Sequence, residues 1–354
     1  MSAQALGDPQ PELRGPAYEW ALWSTTVRVV TSDPAALRSA KRLVDDVLAH
    51  VELATSTTRS DSEVSRLATG RWVRISRTLV AVLGAALEAA RETDGAMDPT
   101  SGGLSPVGFR PAVTNADVAE VTRSVVSCTV PTARPDRWRG IELDEERRMV
   151  RLPAGVRLDL RPIPRAWAAD RCAQVVAEQL EVGCLVSLGG DIATAGPIGA
   201  TADGGWEILV HNREDDPGSV VALPTGLCIA TASTAAARWR EDGNELRHLP
   251  NPLTGPGVCM DWHAATVIAT DCVSASTWAT ACLISDLGVP ERLDAAGLPV
   301  RLVGQGGRVR CLGGWPEDAE LDEMTSLSWS HPGRGRMSVP YSNNCGFNQS
   351  PPEP

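Results

Sequence analysis

Five stretches of this chain hold polar groups at spacings that could do chemistry. TDCVSASTWATACLI, residues 270–284, reads as a buried helix that carries hydroxyls at Ser274, Ser276, Thr277 and Thr280. Ser276 and Thr280 are four apart and share a helical face; that face is either core packing or one wall of a cation site. STTRSDSEVSRL (56–67) crowds hydroxyls and both charges, and Ser60 with Glu63 has capping-box spacing, which explains the crowding structurally. TDGAMDPTSGGL (93–104) is explained by turn residues, or by a glycine-rich loop that brings backbone N–H groups to an anion. VSLGGDIATAGP (186–197) sets Gly-Gly-Asp at the end of an apolar strand, a place where bulges and turns are common and where a ligand can approach closely. ELRHLPNPLTGPG (245–257) puts His248 ahead of a Pro-Gly loop, as a surface residue or as a general base.

The elements that must position these groups can be read from hydrophobic period. Residues 18–32 alternate as a strand, and 33–56 follow with Leu37, Leu43, Val44, Val47, Leu48 and Val51 on one helical stripe. A second helix covers 76–93 and ends near Gly95; 104–138 signal weakly. Residues 141–153 read as a hairpin with a charged turn, and 164–183 as an amphipathic helix closed by Gly183. CLVSLGGDIATAGP is a strand running into a glycine turn; GWEILVHN, SVVALPTGLCIATAS and AATVIATD are further strands. The hydroxyl-bearing helix comes next, then a shorter one near 290–297 and a hairpin turned at Gly304 to Gly307. Strands and helices lack regular βα alternation, so the class is α+β. The boundaries expected are a loose arm over 1–16, one domain over 17–315, and a polar, largely disordered tail over 316–354.

Composition narrows the partners. The net charge is −11, which argues against nucleic acid held over a broad basic surface. Nine cysteines without a C-x-x-C pair suggest neither a zinc site nor a disulfide framework, and fit a reducing compartment. No secretory leader and no apolar run of spanning length is present, so the expectation is a soluble cytoplasmic protein with no membrane partner.

Taken in order, STTRSDSEVSRL, DGAMDPTSGGL, LDLRPIPRAWAADR, SLGGDI, RHLPNPLTG and ASTWATA resemble the successive signatures of the ApbE family, from about residue 20 to 315. The resemblance implies an α+β fold related to the T-fold, two-lobed, with the ligand cleft between the lobes. It also implies an FAD:protein FMN transferase. FAD is the substrate, a divalent cation (usually magnesium) bridges to its pyrophosphate, AMP leaves, and FMN passes to a Thr or Ser of an acceptor flavoprotein. Neutralising charge at phosphorus and removing the hydroxyl proton are what such a reaction requires. Carried over by position, Ala96, Met97 and Asp98 match the flavin-cleft loop. Gly189, Gly190 and Asp191 match the turn at the cofactor, and Asp170 the acid of the helix after the Gly-rich segment. His248 matches the base, Thr254-Gly255 the loop after it, and Thr280 the metal-binding threonine.

Several positions depart from the family pattern. Gly-Gly-Ile-Ala-Lys-Gly becomes RPIPRA, residues 161–166, with Arg161 and Pro162 for the glycines and Arg165 for the lysine. The metal-ligating carbonyl falls on Pro164, and the metal aspartate on Ser276. Thr58 replaces a tyrosine and Asn251 an aspartate. Magnesium favours carboxylates plus phosphate oxygens. Losing one charge-assisted contact costs roughly 1.5–3 kcal/mol, so the exchange to Ser276 argues against bound magnesium. Arg161 and Arg165 are an alternative source of charge at the pyrophosphate. Transferase activity is the first expectation. A non-catalytic flavin-nucleotide binder that keeps the cleft, and a pseudoenzyme that keeps only the fold, stand beside it.

Overall fold

The computed structural model describes residues 17–100, 136–197, 205–213, 215–233, 238–241, 244–247, 262–284, 288–316 and 336–339. The stretch expected as one strand over 18–32 is a hairpin, β1 (Ala17–Leu22) paired antiparallel with β2 (Thr25–Thr31). Its turn residues Trp23 and Ser24 sit at φ of 51° and 57°. A two-residue hairpin turn wants positive φ, usually supplied by Asn or Gly, so the residue types gave no turn signal.

An Asp33-capped 3-10 turn leads into α1 (Leu37–Thr55), which buries Leu37, Ala40, Val44, Leu48, Val51 and Ala54 along one stripe. Each such Leu or Val contributes about 1.5–3 kcal/mol on burial. The short α2 (Glu63–Arg66) is capped by Ser62, which accepts from the Ser65 amide, and not by Ser60 as the spacing suggested. Glu63 instead accepts from the Ser76 amide at 2.7 Å, where α3 (Arg77–Glu92) begins under its own Ser76 cap. Between α2 and α3 lies β3 (Trp72–Arg74), too short to show a period.

The expected hairpin is β4 (Glu142–Asp144) with β5 (Met149–Arg151), and β3 joins it as a third strand. The helix α4 (Ile163–Leu180) carries Pro164 in its first turn, where a missing N–H costs nothing. It ends at Glu181 in the left-handed region, two residues before Gly183. The glycine turn then links β6 (Cys184–Leu188) to β7 (Asp191–Ala195) as a tight hairpin. After β8 (Trp206–Val210), the run SVVALPTGLCIATAS divides at Pro224–Gly226 into β9 (Ser219–Leu223) and β10 (Cys228–Ser233). Next come β11 (Arg238–Glu241), β12 (Asn244–Arg247) and β13 (Trp262–Ala269). The chain continues with α5 (Cys272–Ile284), α6 (Val289–Ala295), β14 (Val300–Gly304) and β15 (Val309–Leu312). Four residues of the stretch read as a tail form β16 (Arg336–Val339), parallel to β8.

The main sheet has eight strands in the order β1-β2-β6-β7-β10-β13-β14-β15, every pair antiparallel. One face packs on α1, α4 and the start of α5 through Val44, Leu48, Ala169, Ala173, Val186 and Ala275. The other meets the β16-β8-β9 sheet through Leu185, Ile192, Ile208, Val221 and Ile229. Coverage on both faces is why β6 is buried at every residue and reads as an unbroken apolar run. A second cluster joins α3 to the β3-β5-β4 sheet through Leu79, Leu83, Val150 and Leu160. The architecture is therefore α+β with two packed lobes, and α4 and α5 lie where they adjoin. Among the described residues no helix is long and apolar enough to cross a membrane.

Candidate functional site

Three residues from three motifs meet beside α5. Asp191 opens β7 and is 2% exposed. Arg165, in the first turn of α4, brings its Nε to 3.4 Å from Asp191 Oδ2. Ser276, in the middle of α5, places its hydroxyl near the same carboxylate, where it favours the charged form. Burial pushes the Asp191 carboxyl up from its ordinary range, and Arg165 and Ser276 pull it back down. Its Oδ2 is buried with no hydrogen bond to a described residue, so the ion pair to Arg165 is its nearest compensation. Thr280 stands one turn beyond Ser276, buried like it. The face shared by Ser276 and Thr280 thus does carry polar chemistry, although α5 is buried nearly all round.

The Gly-Gly turn before Asp191 is dictated by close packing. Gly189 has φ +67°, and a Cβ there would lie 2.4 Å from Thr25 Oγ1. A Cβ on Gly190 would lie 2.7 Å from the Thr231 carbonyl oxygen, and the Thr231 amide donates to the Gly190 carbonyl at 2.9 Å. These contacts are with the protein's own β2 and β10. The two glycines let the hairpin seat Asp191 against α4 and α5.

Asp170 also has structural partners within the fold. Its carboxylate accepts from the Cys272 amide at 2.8 and 3.0 Å and from the Val273 amide at 3.2 Å, at the N-terminus of α5. The Cys228 thiol donates to it at 3.4 Å. Asp271 takes the next amide, that of Ser274, at 2.7 Å. The first amides of a helix lack partners within it and attract negative charge, so Asp170 caps α5. Burial pushes it up to about 6 against the pull of those donors. The Asp271 cap was legible as an acid just before an apolar helix.

The loop of Ala96, Met97 and Asp98 is held inward. Met97 packs in the core of the second lobe with Ala96. Asp98 accepts from the Thr100 amide and hydroxyl, both at 2.7 Å, and burial raises its carboxyl. The Asp159 amide donates to the Pro99 carbonyl at 2.8 Å, which ties this loop to the entry of α4. Arg161 lies at that entry with its Nε 2.8 Å from Asp159 Oδ1, so its charge is already matched by a neighbour. Pro164 is in the first turn of α4, where the helix ladder commits one lone pair of its carbonyl to the amide four residues on. His248, Asn251, Thr254 and Gly255 lie outside the described residues. No local pattern announced the buried His263–Asp216 pair, 2.9 Å apart, which ties β13 to the loop before β9.

A divalent cation fits these residues poorly. The gathered set is one carboxylate, one guanidinium and hydroxyls, which leaves no net negative charge for a hard cation that prefers anionic oxygen. A dication at Asp191 Oδ2 would also sit beside Arg165 and be repelled by it. Among the described residues no three His, Cys, Asp or Glu side chains cluster as metal ligands.

This arrangement of sheet, lobes and junction is shared with the ApbE protein of Thermotoga maritima MSB8, at a TM-score of 0.66 and 23% identity, covering 88% of this chain and all of that one. ApbE from Pseudomonas stutzeri in its apo form, described as a flavinyl transferase, matches at 0.65 and 20% identity over 88% of this chain and 97% of that one. The fold is thus that of the ApbE flavin transferases. The ApbE family model matches residues 23–293, and the chain belongs to that family. Its relatives include the FAD:protein FMN transferase of Treponema pallidum, 28% identical over 277 residues, which are 73% of this chain and 75% of that protein. A second, from Klebsiella pneumoniae strain 342, carries the same name and is 27% identical over 261 residues, 71% of this chain and 76% of that protein.

Proposed function

We propose that this protein is an FAD:protein FMN transferase whose nucleotide sits at the junction of α4, β7 and α5. The observation that carries the reading is the convergence of Arg165, Asp191 and Ser276, one from each of three family motifs, at a single buried point. In the reaction, an acceptor Thr or Ser hydroxyl oxygen attacks the phosphorus on the FMN side of the FAD pyrophosphate. The bond from that phosphorus to the bridging oxygen breaks, AMP leaves with that oxygen, and the hydroxyl proton passes to a base. His248 is the proposed base, by its place in the motif. Arg165 supplies fixed positive charge where the anionic oxygens crowd. Asp191 and Ser276 hold that guanidinium in place.

The test is incubation of the full chain with FAD and a peptide bearing an acceptor Thr, following AMP release and peptide mass. FMN attached to the peptide with stoichiometric AMP is the expected result. FAD bound but neither cleaved nor transferred would replace this reading with a second one, a flavin-nucleotide binder. The charge-balanced Arg165–Asp191 pair favours that alternative, because it leaves less net field to stabilise a transition state than a cation would.

A further inference from the structure

We infer that Arg165, anchored on Asp191, takes over the charge-neutralising role of a divalent cation, so that the site binds a flavin-nucleotide pyrophosphate without metal. The inference rests on the flavin-nucleotide reading and concerns how the phosphates are held.

Three observations point the same way. Arg165 meets Asp191 most closely through Nε, and neither terminal nitrogen donates a hydrogen bond to a described residue. Its side chain is 34% exposed while that of Asp191 is 3% exposed, so the guanidinium pairs with a buried carboxylate through Nε and is itself partly open to solvent. A planar fork held this way presents two parallel donors to a phosphate, and holding it in advance lowers the entropy lost on binding. A lysine ammonium has no second edge and cannot serve both partners in that geometry.

Ser276 is the second observation. Its hydroxyl lies near Asp191 and brings no charge, so among the described residues the carboxylate's full counter-charge is the guanidinium. Third, Arg161 is already matched by Asp159 at the mouth of α4. The expectation that Arg161 and Arg165 both supply charge at the pyrophosphate therefore narrows to Arg165 as the principal contact.

The experiment has a flavin arm and a metal arm. In the first, FAD is titrated into the full chain, read by quenching of its tryptophans, once in EDTA and once with millimolar magnesium. The two dissociation constants should agree within about twofold. A tenfold weakening in EDTA would overturn the inference. Arg165→Lys should weaken FAD by about tenfold or more in both buffers, since one charge-assisted hydrogen bond is worth roughly that factor; undiminished affinity would also overturn it. In the second arm, Mn²⁺ alone is titrated and read by electron paramagnetic resonance. The wild-type chain should bind none at millimolar concentration, whereas Ser276→Asp, which adds a second carboxylate beside Asp191, should gain a site. Mn²⁺ bound by the wild type and lost in Asp191→Asn would overturn the inference even if Ser276→Asp fails to fold. Absence of FAD binding in both buffers would remove the flavin reading, and the Mn²⁺ arm would still decide whether the residues hold a cation.

Discussion

Asp170 and Asp191 are two carboxylates set against one helix, and α5 uses them in opposite ways. Asp170 meets its N-terminus and is saturated by two amides and a thiol. Asp191 meets its middle, has one oxygen without a hydrogen bond to a described residue, and faces a guanidinium at 3.4 Å and a hydroxyl. Burial raises both, so buried charge by itself does not mark a functional site. The difference lies in unspent bonding capacity. A carboxylate whose lone pairs are filled by backbone amides is architecture, while one left short among polar side chains can act on a ligand.

Three measurements sharpen that contrast. The largest effect expected is in the pH dependence of stability. Asp170 holds its proton up to about pH 6 in the folded chain, against 3.8 ordinarily, so the folded state binds more protons in between. Stability due to this group is therefore full below the ordinary value and falls as pH rises toward 6. At about 1.4 kcal/mol per unit the fall is bounded near 3 kcal/mol. Urea unfolding from pH 4 to 7 should show it, and Asp170→Asn should remove that component; superimposable profiles would contradict the assignment. Next in size is Asp170→Ala at pH 7, which strands the α5 amides and should cost about 2 kcal/mol with FAD affinity changed less than threefold. A tenfold loss of FAD affinity in a folded Asp170→Ala would return this acid to the cofactor site. Smallest in stability is Asp191→Asn, within about 1 kcal/mol of wild type. It relieves a buried charge, and the Arg165 it leaves behind is partly solvated. Its signature should be loss of FAD affinity by about tenfold, the factor expected for loosening one charge-assisted contact. Unaltered affinity would mean that Asp191 is architecture too.

Much of the fold was legible in the residues because its devices are local. The stripe of α1, the alternation of β8 and the glycine turn between β6 and β7 are short-range patterns. The hairpin at Trp23-Ser24 was not, because its positive φ values fall on residues that rarely adopt them. For the site, the order of motifs announced which residues belonged together. It could not show that Asp170 turns toward backbone amides of Cys272 and Val273, or that Arg161 is claimed by Asp159. Those are pairings between distant or flexible side chains, and motif matching carries no information about which partner a side chain selects.

The order of strands in the main sheet has a consequence for synthesis. Arg165 and Asp191 leave the ribosome well before β10, β13 and α5, on which Asp191's burial depends. Until then β7 offers an unpaired border with a charged group beside it, a template for wrong partners. A chain cut short before residue 228 would lack β10 and retain that border permanently, and its products should collect as aggregates in place of a weakened but soluble protein.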